Sequence, residues 1–268
     1  MKFFLVILLF LSSVNIFVVD AYSQSIAKEE QIENVKLPIV FVPGVMASRL
    51  RNNSNGDDSE VWPAMAKSIF DPWDSHIEQL YLKSDGITPE NSKDHIYPSE
   101  TLKELNFGVY KIKYYSPFID YMKNKGFQLN EFPYDWRLDI NKTIVLLDDF
   151  INQICVKNKV SQVDILSHSM GGAVSRCYVL SSASRAKKIR NLISAGTPYL
   201  GTPRVVEALR WGDPGMTFLW GLIDILDRSK TRKLLQNAPG PYQLLPSFQF
   251  YNVSGGKIYK FRDRKSVV

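Results

Sequence analysis

Ser169 stands in Leu166-Ser167-His168-Ser169-Met170-Gly171-Gly172. A serine between small residues at this spacing matches the nucleophile-elbow pattern Gly-x-Ser-x-Gly, with Ser167 in the first small position. Such a hydroxyl can attack an acyl carbonyl. It needs a sharp strand-to-helix turn that pushes the serine outward, and small neighbours that let the backbones cross closely. The rival reading is a tight turn with an incidental serine, and the flanking segments weigh against it. Val160-Ser161-Gln162-Val163-Asp164-Ile165-Leu166 is a short β-branched run that reads as a buried strand, and Gly171-Gly172-Ala173-Val174-Ser175-Arg176 opens a helix. A serine nucleophile also needs a base to take its proton. The histidines are His76, His95 and His168, and none follows Ser169. His168 holds the variable position of the elbow, so its ring projects beside the serine and does not oppose it as a base must.

Other segments must position this serine. Leu37-Pro38-Ile39-Val40-Phe41-Val42 is an apolar, β-rich run stopped by Pro43-Gly44, and reads as a central strand. Ser116 to Asn124 reads as a helix, and Gly126 to Phe132 alternates like a strand. From Asn141 or Lys142 onward, Ile144, Leu147, Ile151, Ile154 and Cys155 share one helical face, with Asp148, Asp149 and Gln153 mostly opposite. Ile189 to Ser194 is the next strand and stops at Gly196-Thr197-Pro198. Strands alternating with helices predict an α/β fold with a mostly parallel central sheet covered on both faces. Arg51 to Glu60 and Ser84 to Ser99 read as polar loops. Residues 61–99 carry Trp62, Phe70, Trp73 and Tyr81 without clean periodicity and read as lid-like. Residues 199–245, rich in Trp, Leu, Gly and Pro, break the rhythm and read as an inserted cap.

With 268 residues, 45% hydrophobic and 22% charged, the chain has an ordinary globular composition. Its net charge of +6 is spread over scattered Lys and Arg, with small runs at 185–190 and 260–265. That pattern fits a mildly basic surface near anionic membranes better than nucleic-acid binding, for which no motif is visible. Lys2 followed by the mostly apolar Phe3 to Val19, then Val19-Asp20-Ala21, predicts a signal peptide over 1–21, cleavage near Ala21 and export. Residues 22–36 read as a polar lead-in to one domain over 37–268. Cys155 and Cys177 could form one disulfide in an exported protein, though two buried thiols are the preferred expectation. No Cys/His cluster has metal-ligand spacing, so no metal is expected. Asn52-Asn53-Ser54, Asn141-Lys142-Thr143 and Asn252-Val253-Ser254 are glycosylation sequons.

Four segments, in order and rough spacing, resemble the lecithin:cholesterol acyltransferase family. These are Pro38 to Met46, Pro133-Tyr134-Asp135-Trp136-Arg137, Ser167 to Gly172, and Gly196-Thr197-Pro198-Tyr199-Leu200-Gly201. Leu244-Leu245-Pro246 is similar to a further family segment. The Tyr-Asp-Trp-Arg run discriminates best, because other α/β-hydrolases lack it. The resemblance implies an α/β-hydrolase fold with a cap or lid insertion, a Ser-Asp-His triad, lipid ester substrates and no cofactor. Residue by residue it makes Ser169 the nucleophile. Met170 and Met46 become the backbone donors of the oxyanion hole. Gly44 and Val45 lie in the loop that carries Met46, and Trp62 resembles the tryptophan that opens the family's lid. Gly44, Val45 and Trp62 are thus the candidate substrate-contacting residues, although Trp62 reads equally well as a core aromatic. Asp135 and Arg137 read as a buried structural ion pair.

In the α/β-hydrolase fold the acid and then the histidine follow the serine. Here Asp213, Asp224, Asp227 and Asp263 follow it, the first three in the cap-like stretch, and none after a convincing late strand. The resemblance therefore predicts that acid and base lie in sequence beyond Val268, and that a missing late strand leaves an apolar sheet edge. The expected activity is lipid O-acyl transfer or phospholipid hydrolysis through an acyl-enzyme on Ser169, possible at a membrane surface. A lipid-binding protein without turnover and a general carboxylesterase or lipase are the alternatives.

Overall fold

The computed structural model describes residues 36–54, 56–63, 75–107, 110–212 and 227–247. The expected signal peptide, most of the lead-in, Phe70 and Trp73, Asp213 and Asp224, Asp263 and the Asn252 sequon lie outside the described residues. From Leu37 onward the described residues belong to one compact unit. In chain order its elements are β1 (Ile39–Val42), β2 (Ser48–Ser54), β3 (Asp57–Trp62), α1 (Ser75–Glu78), β4 (Ile96–Thr101), β5 (Glu104–Phe107) and β6 (Tyr110–Lys113). There follow α2 (Ser116–Asn124), β7 (Leu129–Glu131), α3 (Ile140–Asn158), β8 (Val163–His168), α4 (Met170–Ser181) and α5 (Ala183–Ala186). The last are β9 (Ile189–Ala195), α6 (Pro203–Trp211), α7 (Arg228–Gln236) and α8 (Pro239–Tyr242).

The central sheet is parallel, in the order β7-β1-β8-β9. Both faces are covered, and the period-2 alternation of β1 shows how. Val40 and Val42 point into one core with Ile165, Leu147, Ile151, Met170, Val174 and Tyr178, which brings in α3 and α4. Phe41 points the other way, into a smaller cluster with Ala47, Tyr115 and Ile119, which brings in α2. This is the expected α/β architecture. The helix expected from Asn141 or Lys142 begins one residue earlier at Ile140. Asp139 caps it by accepting from the Asn141 N–H at 2.7 Å, satisfying one of the first-turn donors that no intrahelical carbonyl reaches. Ile144, Leu147, Ile151 and Ile154 form its buried face, as their spacing requires.

One expected loop is a hairpin, and the end of another enters a strand. Arg51 to Glu60 folds as the β2–β3 hairpin, and β4 adds antiparallel to β2 from the stretch read as a polar connector. The Arg51–Glu60 loop reading fails, whereas the Ser84–Ser99 connector holds through residue 95 and only its last four residues enter β4. The strand signal hides under charge. Arg49 meets Glu60 at 2.6 Å and Arg51 meets Asp58 at 2.9 Å, so polar residues here are cross-strand partners and not loop markers. A second hairpin, β5–β6, was also unmarked in the sequence. Within residues 199–245 the described parts are the helices α6, α7 and α8, and Asp227 caps α7 through the Lys230 N–H at 2.9 Å. At the end of the sheet order, β9 keeps Ile193 42% exposed.

The cysteines correct an expectation. Both are free, Cys155 is half-buried and Cys177 is exposed. Cys177 follows the exposed Arg176 on the outer side of α4, whose inward side is taken by Val174, Ser175 and Tyr178. Asn52 is buried, its amide donating to Gln79 and to Asp94 at 2.8 and 2.9 Å, whereas Asn141 is exposed. No helix among the described residues is long and apolar enough to cross a membrane.

Candidate active site

Register brings the site together. Val42 pairs with Ser167 and His168 pairs with Ala195, so β1, β8 and β9 end side by side. Pro43-Gly44, His168-Ser169 and Gly196-Thr197 therefore leave the sheet at the same edge, the carboxyl edge where parallel α/β sheets hold their ligands.

Ser169 joins β8 to α4 at φ 53° and ψ −125°, a conformation costly for any residue with a side chain. Its N–H is tied to Ala195 O at 2.9 Å and its carbonyl accepts from Gly172 N at 3.0 Å. The surroundings over-determine the turn. A Cβ on Gly171 would lie 2.2 Å from the Val42 carbonyl oxygen, and one on Gly172 would lie 1.8 Å from Thr197 Oγ1. Only glycine lets α4 start directly against the ends of β1 and β9. Ser169 itself is half-buried.

The β1–β2 loop runs alongside. A Cβ placed on Gly44 would lie 3.1 Å from Ser169 Cβ, so this loop and the elbow are in near contact. Met46 is buried at φ 60°, and its carbonyl accepts from Trp62 Nε1 at 2.8 Å. Neither the Met46 N–H nor the Met170 N–H has an acceptor among the described residues. Two unpartnered amides on the two segments that meet at the serine are what an oxyanion site requires. Val45 is half-buried and packs its side chain on the core. Trp62 is a buried side chain that meets Trp136 edge-on at 5.3 Å. Its visible role is to hold the Met46 peptide. Tyr134 Oη donates to Pro43 O at 3.0 Å and holds the start of the same loop.

Asp135 and Arg137 are the buried ion pair their context implied. Arg137 Nε donates to Asp135 Oδ1 at 2.9 Å and Nη2 to Oδ2 at 2.6 Å, while Nη1 donates to Leu80 O at 2.7 Å. The Leu244-Leu245-Pro246 segment lies against Tyr199 to Thr202. Thr202 N donates to Leu244 O at 2.8 Å, and a Cβ on Gly201 would meet Leu245 O at 2.1 Å.

Of the three histidines, His76 lies on α1, His95 precedes β4, and only His168 stands at the elbow. Its Nδ1 is occupied by Tyr115 Oη at 2.6 Å. Burial holds the His168 imidazole below its ordinary pKa, so it is a neutral ring. Tyr115, which no sequence pattern marked, also accepts from the Gly44 N–H at 3.1 Å. Burial pushes its phenol well above the ordinary range, with Tyr114 adding to the effect and the Gly44 N–H opposing it. Among the described residues no three His, Cys, Asp or Glu side chains come together as a metal-holding group. An apolar groove lined by Arg176, Val179, Leu180, Leu192 and Tyr199 lies on the flank of α4 and β9, apart from the two free amides.

A parallel sheet whose central strand turns into a helix through a strained serine defines an α/β-hydrolase fold. The family model for lecithin:cholesterol acyltransferase matches residues 65–260, and the chain belongs to that family. It is 26% identical over 231 residues to lecithin-cholesterol acyltransferase-like 4 of Arabidopsis thaliana, a match covering 78% of this chain and 42% of that one. The chain thus spans about two-fifths of the length of that curated relative. Among solved structures it is similar to the Bacillus licheniformis lipase BlEst2 in mature form, at 16% identity and TM-score 0.40, covering 84% of this chain and 60% of that one. It is also similar to a chain of the Tle4-Tli4 complex, at 16% identity and TM-score 0.48, covering 80% of this chain and 55% of that one.

Proposed function

We propose that the chain carries the nucleophile half of a serine-dependent lipid acyltransferase or phospholipase. The observation behind it is the positive φ of Ser169 at the β8–α4 turn, with the Met170 and Met46 amides left without acceptors among the described residues. In this reading Ser169 Oγ attacks the acyl carbonyl of a lipid ester. The carbonyl oxygen becomes an oxyanion received by the Met46 and Met170 N–H groups, and the alcohol leaves as the acyl-enzyme forms. Water or a second alcohol then takes the acyl group, depending on how far the pocket excludes water. The base must accept the serine proton. His168 does not serve, because its Nδ1 already holds Tyr115 and it sits one residue from the nucleophile on the same turn. The proposal assigns base and acid to the part of the relative's length that this chain does not cover. Action on a lipid surface and export through a leader at residues 1–21 belong to the same proposal.

A second reading, a lipid-binding protein without turnover, is favoured by the described residues, which place no histidine at the elbow except His168, whose Nδ1 is held by Tyr115. A fluorophosphonate probe separates the two. Covalent labelling of the wild type that vanishes in Ser169→Ala supports an acyl-enzyme. Because the proposal puts base and acid outside this chain, the probe is applied to the protein extended over that part. There, labelling that persists in Ser169→Ala, or a wild type inert to the probe, refutes it. Phospholipid and soluble-ester panels then separate a lipid enzyme from a general esterase.

A further inference from the structure

The mechanism leaves Tyr115 unused, yet among the described residues it is the one side chain that bonds both halves of the site. Its hydroxyl receives the Gly44 N–H at 3.1 Å and lies 2.6 Å from His168 Nδ1. Gly44 precedes Met46 in the loop by two residues, and His168 precedes Ser169 by one. A phenol has one proton to give and oxygen lone pairs to receive with. Gly44 N–H can only donate, which keeps the Tyr115 proton available for an acceptor. Pairing that proton with His168 Nδ1 requires the imidazole proton on Nε2. The ring that supplies the hydroxyl is fixed from both sides, edge-on to Phe41 at 5.0 Å and to Tyr114 at 4.8 Å. Tyr115 itself is buried, so a misplaced hydroxyl would leave the Gly44 amide with neither water nor a partner.

We infer that Tyr115 is a positioning residue for acyl transfer at Ser169. Through Gly44 N–H and His168 Nδ1 it latches the oxyanion loop to the nucleophile elbow, and so fixes the spacing between the Met46 and Met170 amides. The inference rests on the acyl-enzyme reading. The latch acts on geometry alone and takes no part in proton transfer to the substrate.

Tyr115→Phe keeps the ring and its packing and removes only the oxygen, so it tests the latch directly. Two readouts are needed. The first is ¹⁵N-histidine NMR of the full chain, which requires no turnover. The wild type should show His168, assigned with His168→Gln, as a neutral ring protonated at Nε2 with Nδ1 accepting, and Tyr115→Phe should lose the hydrogen-bonded Nδ1 signal. A wild-type His168 protonated at Nδ1 overturns the latch. The second is the rate of fluorophosphonate labelling at Ser169, with kcat and KM on a soluble ester where turnover is measurable. The expected result is a labelling rate and kcat lower by about 10- to 100-fold in Tyr115→Phe with KM changed by less than about 2-fold, the size of a sub-ångström to 1 Å misplacement. Equal labelling rates, or a loss carried by KM alone, overturn the inference. In the protein extended to carry the proposed base and acid, a wild type that shows the nitrogen signature but never labels overturns the acyl-enzyme reading, and the positioning role with it.

Discussion

Replacing Asp135 by Asn should destabilise the protein far more than its small change in volume implies. Arg137 is 2% exposed and Asp135 7% exposed at the side chain, and the pair is bidentate at 2.9 and 2.6 Å. The third guanidinium contact goes to the Leu80 carbonyl at 2.7 Å, so Arg137 has no route to water. In Asp135→Asn one acceptor oxygen becomes an NH2 facing a guanidinium N–H, and the positive charge stays buried without its counter-charge. Breaking one side of such a pair costs about 3–5 kcal/mol. Against a folding free energy of about 5–15 kcal/mol that is a large fraction. With a urea slope of about 2–3 kcal/mol per M, the unfolding midpoint should fall by roughly 1–2 M. Removing both charges together, as Asp135→Leu with Arg137→Met, should recover much of the loss, because a dry apolar pair no longer has to solvate a charge. The exposed Arg51–Asp58 pair is the comparison, and Asp58→Asn should move the midpoint far less. The assay is urea unfolding followed by circular dichroism on all four proteins. A midpoint for Asp135→Asn within about 0.3 M of wild type would refute the argument, since that corresponds to less than about 1 kcal/mol.

Gly171→Ala should cost about 3 kcal/mol or more and lower labelling at Ser169, because its Cβ would lie 2.2 Å from a backbone oxygen that only a shift of α4 or β1 can clear. A thermal melt checks it, and a variant as stable as wild type would contradict the close crossing. Acid should weaken the fold through His168. Burial lowers its folded pKa below the ordinary 6.5, so the folded state prefers the neutral ring and the unfolded state binds the proton first. The contribution is whole above about pH 6.5 and is lost as pH falls toward the lowered folded value. Urea midpoints between pH 7.5 and 5.5 should fall more steeply in wild type than in His168→Gln, and parallel slopes would remove His168 from the account.

The central elements were legible because their signals are local. β1 and β8 are short β-branched runs, and α3 announces itself through four buried isoleucine and leucine positions at helical spacing. The elbow declares itself because the strained serine's neighbours demand glycines, Gly171 against the Val42 and Pro43 backbone and Gly172 against the Thr197 side chain. The peripheral hairpins were not legible, because a strand exposed on one side draws its stability from partners elsewhere in the chain. Arg49 and Arg51 look like loop residues until Glu60 and Asp58 are placed opposite them. Cys177 was misread for a related reason: which side of α4 faces water depends on what α3 and the sheet cover.

By itself, then, the sequence determined the serine in its elbow pattern, the glycines that follow it and the family to which the chain belongs. Each follows from residue types at short, fixed separations. Only the tertiary structure decided that Trp62 holds the Met46 peptide and that Tyr115 spans loop and elbow. Those contacts join residues 16, 53 and 71 positions apart, where the side-chain type carries no sign of its partner and only packing across the sheet edge brings them within hydrogen-bonding distance.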